Sequence, residues 1–264
     1  MPEVVKFEKD GKIGRIILNR PEVYNALNLE VHSKLRAVLS EIKDDDSIRV
    51  AIITGAGKAF CAGADIGEIM KLDPLTGEEH LNSLVSTFEM IENIDLPIIA
   101  AINGHALGGG LELAMRCDFR IAKESAKLGL PEVNIGAMPG AGGTQLLPRL
   151  IGKTRGIELI MTGRLITAKE AESLGLVNKA VKEDEFDDFV NNFAEELSKK
   201  SPVALALIKR SINMGLKMDL KNALEYEKLL FTKLLVSEDF KEGVKAFVEK
   251  REPKFMEKRP KFEL

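Results

Sequence analysis

Three times along the chain a short apolar run meets a glycine-bearing turn or break, a second extended stretch follows, and a helical pattern then begins. "VAIITG" (50–55) leads to "AFCAGADIGEI" (59–69), "LPIIAAINGHAL" (96–107) to "GLELAMRC" (110–117), and "DFRIAKESAKLGLP" (118–131) to the helical stretch from Thr144. Short unbroken apolar runs bounded by turn residues read as buried strands. Their recurrence with helices between predicts a solenoid-like α/β core of strand–strand–helix units. Before it, "VVKFEKDGKIGRIILN" carries a Lys9-Asp10-Gly11 turn between two extended runs, a hairpin signal. Asn28 can cap a helix from Leu29 to about Lys43, with Val31, Leu35, Val38, Leu39 and Ile42 on one face. A second amphipathic helix is predicted near His80 to Asn93, burying Leu81, Leu84, Val85, Phe88 and Ile91. From Thr144 the pattern is helical almost to the end.

Bulk properties narrow the function. With 38 basic and 41 acidic residues, the net charge of −3 provides no global basic field for nucleic acid and no polybasic membrane signal. Cys61 and Cys117 are too few for a disulfide framework and read as small buried hydrophobes. The opening "MPEVVKFEKD" is neither a signal peptide nor a transit sequence, and the near-apolar stretch Leu96 to Leu107 is broken and too short to span a bilayer. A cytoplasmic protein is expected. His32, His80 and His105 share no ligand spacing with Cys or carboxylates, so no metal site is expected. The basic tail "EKREPKFMEKRPKF" reads as solvated, with contact to an acidic ligand as the alternative.

The glycine clusters fail as nucleotide cradles. "GAGKAF" has no glycine five residues before Gly57 and no Ser or Thr after Lys58, and a dinucleotide fingerprint from Gly108 or Gly140 would need glycine where Leu113 and Gln145 stand. Two glycine-bearing turns remain, at Ala62–Ala64 and at Gly108–Gly110. Singly each reads as a tight turn; facing each other, their N–H groups would form a hole for a developing oxyanion. Glu112 falls in the first turn of the helix opened by the glycines, a place that suits a capping or ion-paired glutamate as well as a catalytic one. Glu132, after Pro131, reads as a loop carboxylate. Brought together, the two could position water and move protons, each raising the other's pKa. Asp65 reads first as a turn cap or helix N-cap.

Nearly the whole chain resembles the enoyl-CoA hydratase (crotonase) family, through "NRPEVYNALN" (19–28), "AFCAGADI" (59–66), "AINGHALGGGLELAMRCD" (101–118), "LGLPEVNIGAMPGAGGTQLLPRLIG" (128–152), "TGRLITAKEAESLGLVNKAV" (162–181) and "EGVKAFVEKR" (242–251). The resemblance implies a spiral α/β core over residues 1–200 and a C-terminal helical region, 201–264, used for trimerisation, with hexamers formed as dimers of trimers. It implies an acyl-CoA thioester as substrate, with no metal, redox cofactor, nucleic acid or membrane partner. By motif position the oxyanion hole falls on the N–H groups of Ala64 and Gly109. CoA would lie along Ala62, Ala64, Asp65, Ile66 and Gly67, with Phe231 and Lys250 as further contacts across a subunit boundary and Gly140 supporting the acyl pocket. Gly67 stands where many members carry a longer polar residue, and Leu130, before Pro131, where some hydratases carry a polar one. Hydratases of the family keep two glutamates, here Glu112 and Glu132, which implies addition of water to a short-chain trans-2-enoyl-CoA. The alternatives are an enoyl-CoA isomerase, a branched-chain hydratase, or a non-catalytic CoA- or RNA-binding protein on the same scaffold.

Overall fold

The computed structural model describes residues 3–260; Met1 and Pro2 of the opening stretch and Lys261 and Phe262 of the basic tail lie outside the described residues. The chain opens with strands β1 (Val5–Asp10) and β2 (Ile13–Leu18), paired antiparallel so that Asp10 faces Ile13 across the expected turn. Helix α1 (Leu29–Asp44) follows, its start fixed by the Asn28 side chain accepting from the Val31 N–H. Each apolar position expected of that helix is buried, and His32 joins them.

The repeated units come next. Strand β3 (Val50–Gly55) leads to β4 (Ala59–Cys61) and helices α2 (Ile66–Ile69) and α3 (Pro74–Asn93). Strand β5 (Ile98–Ile102) leads to β6 (His105–Leu107) and α4 (Gly109–Arg116). Strand β7 (Phe119–Lys123) leads to β8 (Lys127–Gly129), then α5 (Gly143–Ile151) and α6 (Lys153–Thr162). The first strand of every unit joins one sheet and the second joins another, because each glycine-bearing break redirects the chain. The sheets run β1-β2-β3-β5-β7-β10 and β4-β6-β8-β9, with β9 at Ile166–Thr167 and β10 at Lys179–Val181. Between the units, pairing is parallel. The large sheet is covered on both faces, as a parallel sheet must be. Ile53, Ile98, Ala100 and Ile102 belong to the main core with α1 and α3, whereas Val50, Ile52, Ile99 and Ile121 pack with Phe186, Val190 and Ala194 of α8 (Phe186–Ser198). Helix α7 (Ala168–Ser173) links β9 and β10. Cys61 and Cys117 are buried free thiols, pushed up to about 12 by burial.

Three expectations need correction. The second long helix starts at Pro74, not His80: Asp73 and Thr76 form a reciprocal capping box, and proline in the first turn needs no N–H partner there. Its buried side is His80, Leu84, Thr87, Phe88 and Ile91; Leu81 is exposed and Val85 only half-buried. Strands β9 and β10 interrupt the region read as helical; two or three residues carry no periodicity, and pairing with β8 and β7 makes them strands. The tail, finally, is solvated at most of its described residues, as expected, but it is anchored at Arg259, which is buried.

Helices α9 (Pro202–Gly215), α10 (Leu220–Leu234) and α11 (Glu238–Glu249) bring the chain back to α1. There Arg259, 5% exposed, donates to the carbonyls of Ile42 (2.5 Å), Lys43 (3.0 Å), Asp45 (3.1 Å) and Ile48 (2.5 Å). A helix leaves its last carbonyls without internal donors, and a cation suits that negative end. Arg251 grips Glu242 through two nitrogens at 2.7 and 2.8 Å, and the Phe255 carbonyl accepts from Arg49 at 2.8 Å. Arg259→Ala leaves four acceptors, two of them in fully buried contacts, without their donor, and a loss of about 3 kcal/mol is expected in urea unfolding, with turnover per folded molecule retained. An unchanged urea midpoint would show that the cap contributes nothing.

Candidate active site

The site forms where the second and third units lay their turns against the first. Gly110, in the first turn of α4, is packed so tightly on β4 that a methyl group there would lie 2.2 Å from the Cys61 carbonyl oxygen. That contact sets the start of α4 beside the 62–64 turn. A methyl group on Gly109 would sit 3.6 Å from the Ala64 amide nitrogen, and one on Gly63 would sit 3.3 Å from that of Gly109. The two expected amides are therefore neighbours. As the first residue of α4, Gly109 has no acceptor within the helix. Neither amide donates a hydrogen bond among the described residues. Gly108 makes the turn at φ +51°, in the left-handed region, and a side chain there would also press on Glu132, whose Oε1 lies 3.1 Å from the Cβ position.

Glu112 is 3% exposed. Its Oε1 accepts from the Ala141 N–H at 2.8 Å, on the turn that precedes α5, and from the Gly143 N–H at 2.7 Å, at the first residue of that helix. Burial raises its pKa; the Gly143 and Ala141 amides, then the charge of Arg116, oppose the rise. Glu132 sits in a single 3-10 turn, Pro131–Ile135, half-buried, with its Oε2 lacking a hydrogen-bond partner among the described residues. Burial pushes it up to about 7, its own backbone N–H opposes, and the nearby Glu112 charge pushes it further. Two amides favour the anion at Glu112, whereas Glu132 Oε2 has no such donor among the described residues.

The other expected contacts divide. The Ala62 N–H is bonded to the Tyr24 carbonyl, and Asp65 caps α2 through the Gly67 N–H while its other oxygen binds Arg20 at 3.0 Å. Ile66 is exposed beside them. A methyl group on Gly140 would lie 2.9 Å from Leu81 of α3, and Leu130 is fully buried against Gly143. Phe231 is exposed on α10, and Lys250 is the residue that ends α11. The donors Ala141 and Gly143 carry no side-chain signal; their trace in the sequence is the small-residue run "PGAGG". Among the described residues, no group of three or more His, Cys, Asp or Glu side chains is placed to hold a metal ion. No helix among them is long and apolar enough to cross a membrane.

The sequence signature described as enoyl-CoA hydratase/isomerase matches residues 8–258. The chain belongs to this family. Among its enoyl-CoA hydratase relatives, a short-chain-enoyl-CoA hydratase of Clostridium acetobutylicum is 42% identical over 94% of this chain and 95% of its own length. A crotonyl-CoA hydratase of Syntrophomonas wolfei is 41% identical, covering 97% and 99% of the two chains. A crystal structure of the enoyl-CoA hydratase from Bacillus anthracis superposes with a TM-score of 0.92 at 42% identity, covering 96% of this chain and 98% of that one. The crotonase-like α/β spiral is thus the fold of this family member.

The pair has a consequence for stability. Glu132 rises from 4.5 to about 7 on folding, so the folded state holds a proton that the unfolded chain has lost. Stability therefore falls as pH rises from about 4.5, and the penalty is complete above about 7. Allowing for solvent screening at a half-buried group, Glu132→Gln is expected to add about 1–2 kcal/mol at pH 8 and far less at pH 4.5. Urea unfolding at both pH values checks this; an equal effect at each would contradict the assignment.

Proposed function

We propose that this protein is an enoyl-CoA hydratase that adds water to a short-chain trans-2-enoyl-CoA, giving a 3-hydroxyacyl-CoA, and catalyses the reverse dehydration. The observation that carries this reading is the carboxyl pair in two different surroundings: Glu112 accepts from two amides, whereas Glu132, pushed up to about 7 by burial, keeps an oxygen without a hydrogen-bond partner among the described residues. Placed opposite them, the N–H groups of Ala64 and Gly109 would receive the thioester carbonyl oxygen.

Each group then has one task. Water, held by both carboxyls, attacks C3 while Glu112 takes one of its protons, and the C2=C3 electron pair moves toward the thioester. Charge collects on the thioester oxygen, where fixed amide donors favour the transition state over the ground state. Glu132 delivers its proton to C2 on the same face, so addition is syn. The proton of the pair has moved from Glu132 to Glu112, and exchange with solvent resets it. The reaction asks for no metal or redox cofactor, since the thioester itself supplies the polarisable carbonyl.

Ala62, Ile66 and Gly67 would lie along the CoA portion, with Asp65 shaping that turn through its bonds to Arg20 and Gly67. Gly140 and Leu81 would bound the acyl chain. Oligomerisation into trimers and hexamers is supported by bare apolar side chains on the C-terminal helices, such as Leu216, Leu220 and Phe247, the last 85% exposed. Phe231 and Lys250 would reach a neighbouring subunit's CoA from there. The cytoplasm is the compartment proposed.

Hydration removes the conjugated double bond, so the ultraviolet absorbance of crotonyl-CoA falls as the reaction runs. Glu112→Gln and Glu132→Gln are each expected to slow that decay by about 10²–10⁴-fold. Undiminished rates in either variant would remove its assigned role. Absence of decay with any enoyl-CoA in the unaltered protein would point to a binding protein instead.

A further inference from the structure

Arg116 ends helix α4, one turn beyond Glu112, and its side chain is only 13% exposed. One guanidinium nitrogen, Nη1, meets Glu92 Oε2 at 2.5 Å; the other, Nη2, donates to the Ala141 carbonyl at 3.5 Å. The same Nη2 lies 3.1 Å from the Cβ position of Gly142, against the backbone of the turn. Residue 141 is therefore held at both ends: its N–H by Glu112 and its carbonyl by Arg116. Glu92 is anchored in turn. It sits in the last turn of α3, its Oε1 accepts from Lys217 at 2.7 Å, and its carbonyl accepts from Asn213 at 3.1 Å.

We propose that Arg116 is a positioning residue for Glu112: with one arm on Glu92 and the other on the Ala141 carbonyl, its rigid guanidinium holds the 140–143 turn so that its amides keep Glu112 the water-activating carboxylate. The inference rests on the hydratase reading above. A planar fork fixed at one end by an ion pair defines where its other nitrogen lies, which a lysine ammonium cannot do. Arg116 also faces Glu112 with a positive charge inside a site that water reaches poorly. The other groups around Glu112 are the Ala141 and Gly143 amides and Glu132; those around Arg116 are Glu92 from α3 and, beyond it, Lys217. Among the charged groups facing Glu112, Arg116 is the cation that favours its anion. Arg116 itself touches neither water nor substrate in the proposed reaction, so its effect passes through Glu112.

Two measurements on the full chain test this. The first is crotonyl-CoA hydration across pH in the unaltered protein, Arg116→Met and Arg116→Lys. In Arg116→Met, kcat is expected to fall about tenfold with KM nearly unchanged, and the acid limb of the profile to move up by about one pH unit. Arg116→Lys returns the limb, because the charge is back, but only part of kcat, because the second arm is missing. The second measurement is the titration of the Glu112 carboxyl by carbon-13 NMR with side-chain-labelled glutamate, the signal assigned by its loss in Glu112→Gln. Its midpoint is expected to rise in Arg116→Met. Should that variant fail to fold, Arg116→Gln, which keeps a donor without charge, is read the same way. An unmoved acid limb and an unmoved Glu112 midpoint, with only thermal stability reduced, would overturn the proposal and leave Arg116 a structural ion-pair partner. An unaltered protein inert toward enoyl-CoA would overturn the hydratase reading instead, and the carboxyl titration would still decide whether Arg116 governs Glu112.

Discussion

Everything at the site follows from how closely Gly110 rides on the Cys61 carbonyl. A side chain at residue 110 would need room that the backbone of β4 already fills, so the helix start and the neighbouring turn can meet only through glycine. That meeting brings the Gly109 and Ala64 amides together, orients the first turn of α4 inward, and carries Glu112 into the core. The stack of units also explains why the amides are available. Each turn lies at the end of a strand pair, where the ladder has stopped and the helix ladder has not begun.

Two carboxyls placed in the same apolar surroundings need different partners if they are to do opposite work. At Glu112 the turn into α5 and the first residue of that helix each supply an amide donor, and a helix neighbour supplies a positive charge. At Glu132 only its own backbone N–H opposes the rise, and burial outweighs it, with the Glu112 charge adding a smaller push. The asymmetry lies in the backbone around the glutamates rather than in the glutamates themselves. One fold can thereby give two neighbouring carboxyls different acid–base surroundings through its backbone alone.

Local signals were readable and tertiary ones were not. The first long helix announces itself through Asn28 and a one-sided apolar stripe, both contained within its own residues. The start of α3 at Pro74 is hidden because "PLTGEE" has turn composition, although its proline and the Asp73 and Thr76 cap suit a helix start. β9 and β10 exist only because other strands offer them edges. At the site, the paired glutamates and the glycine turns stand in recognisable motifs, whereas the amides that serve Glu112 come from residues 29 and 31 positions away and carry no side-chain signature. Arg116 is equally silent: on a sequence it is a basic residue in the last turn of a helix, a commonplace arrangement. The docked tail went unread because charge composition does not reveal a guanidinium buried among carbonyls.

Arg259 ties together residues separated by more than two hundred positions, since its acceptor on Ile42 lies 217 residues earlier. On a ribosome the chain emerges in order, at about 5–20 residues per second. Helix α1 and the hairpin beside it are thus made early, yet the carbonyls at the end of α1 wait for residue 259 to leave the exit tunnel. For that interval, on the order of ten seconds or more at those rates, the first elements exist without their final clasp. The assembly sequence of the molecule is consequently not its synthesis sequence: its oldest helix is among the last to be finished.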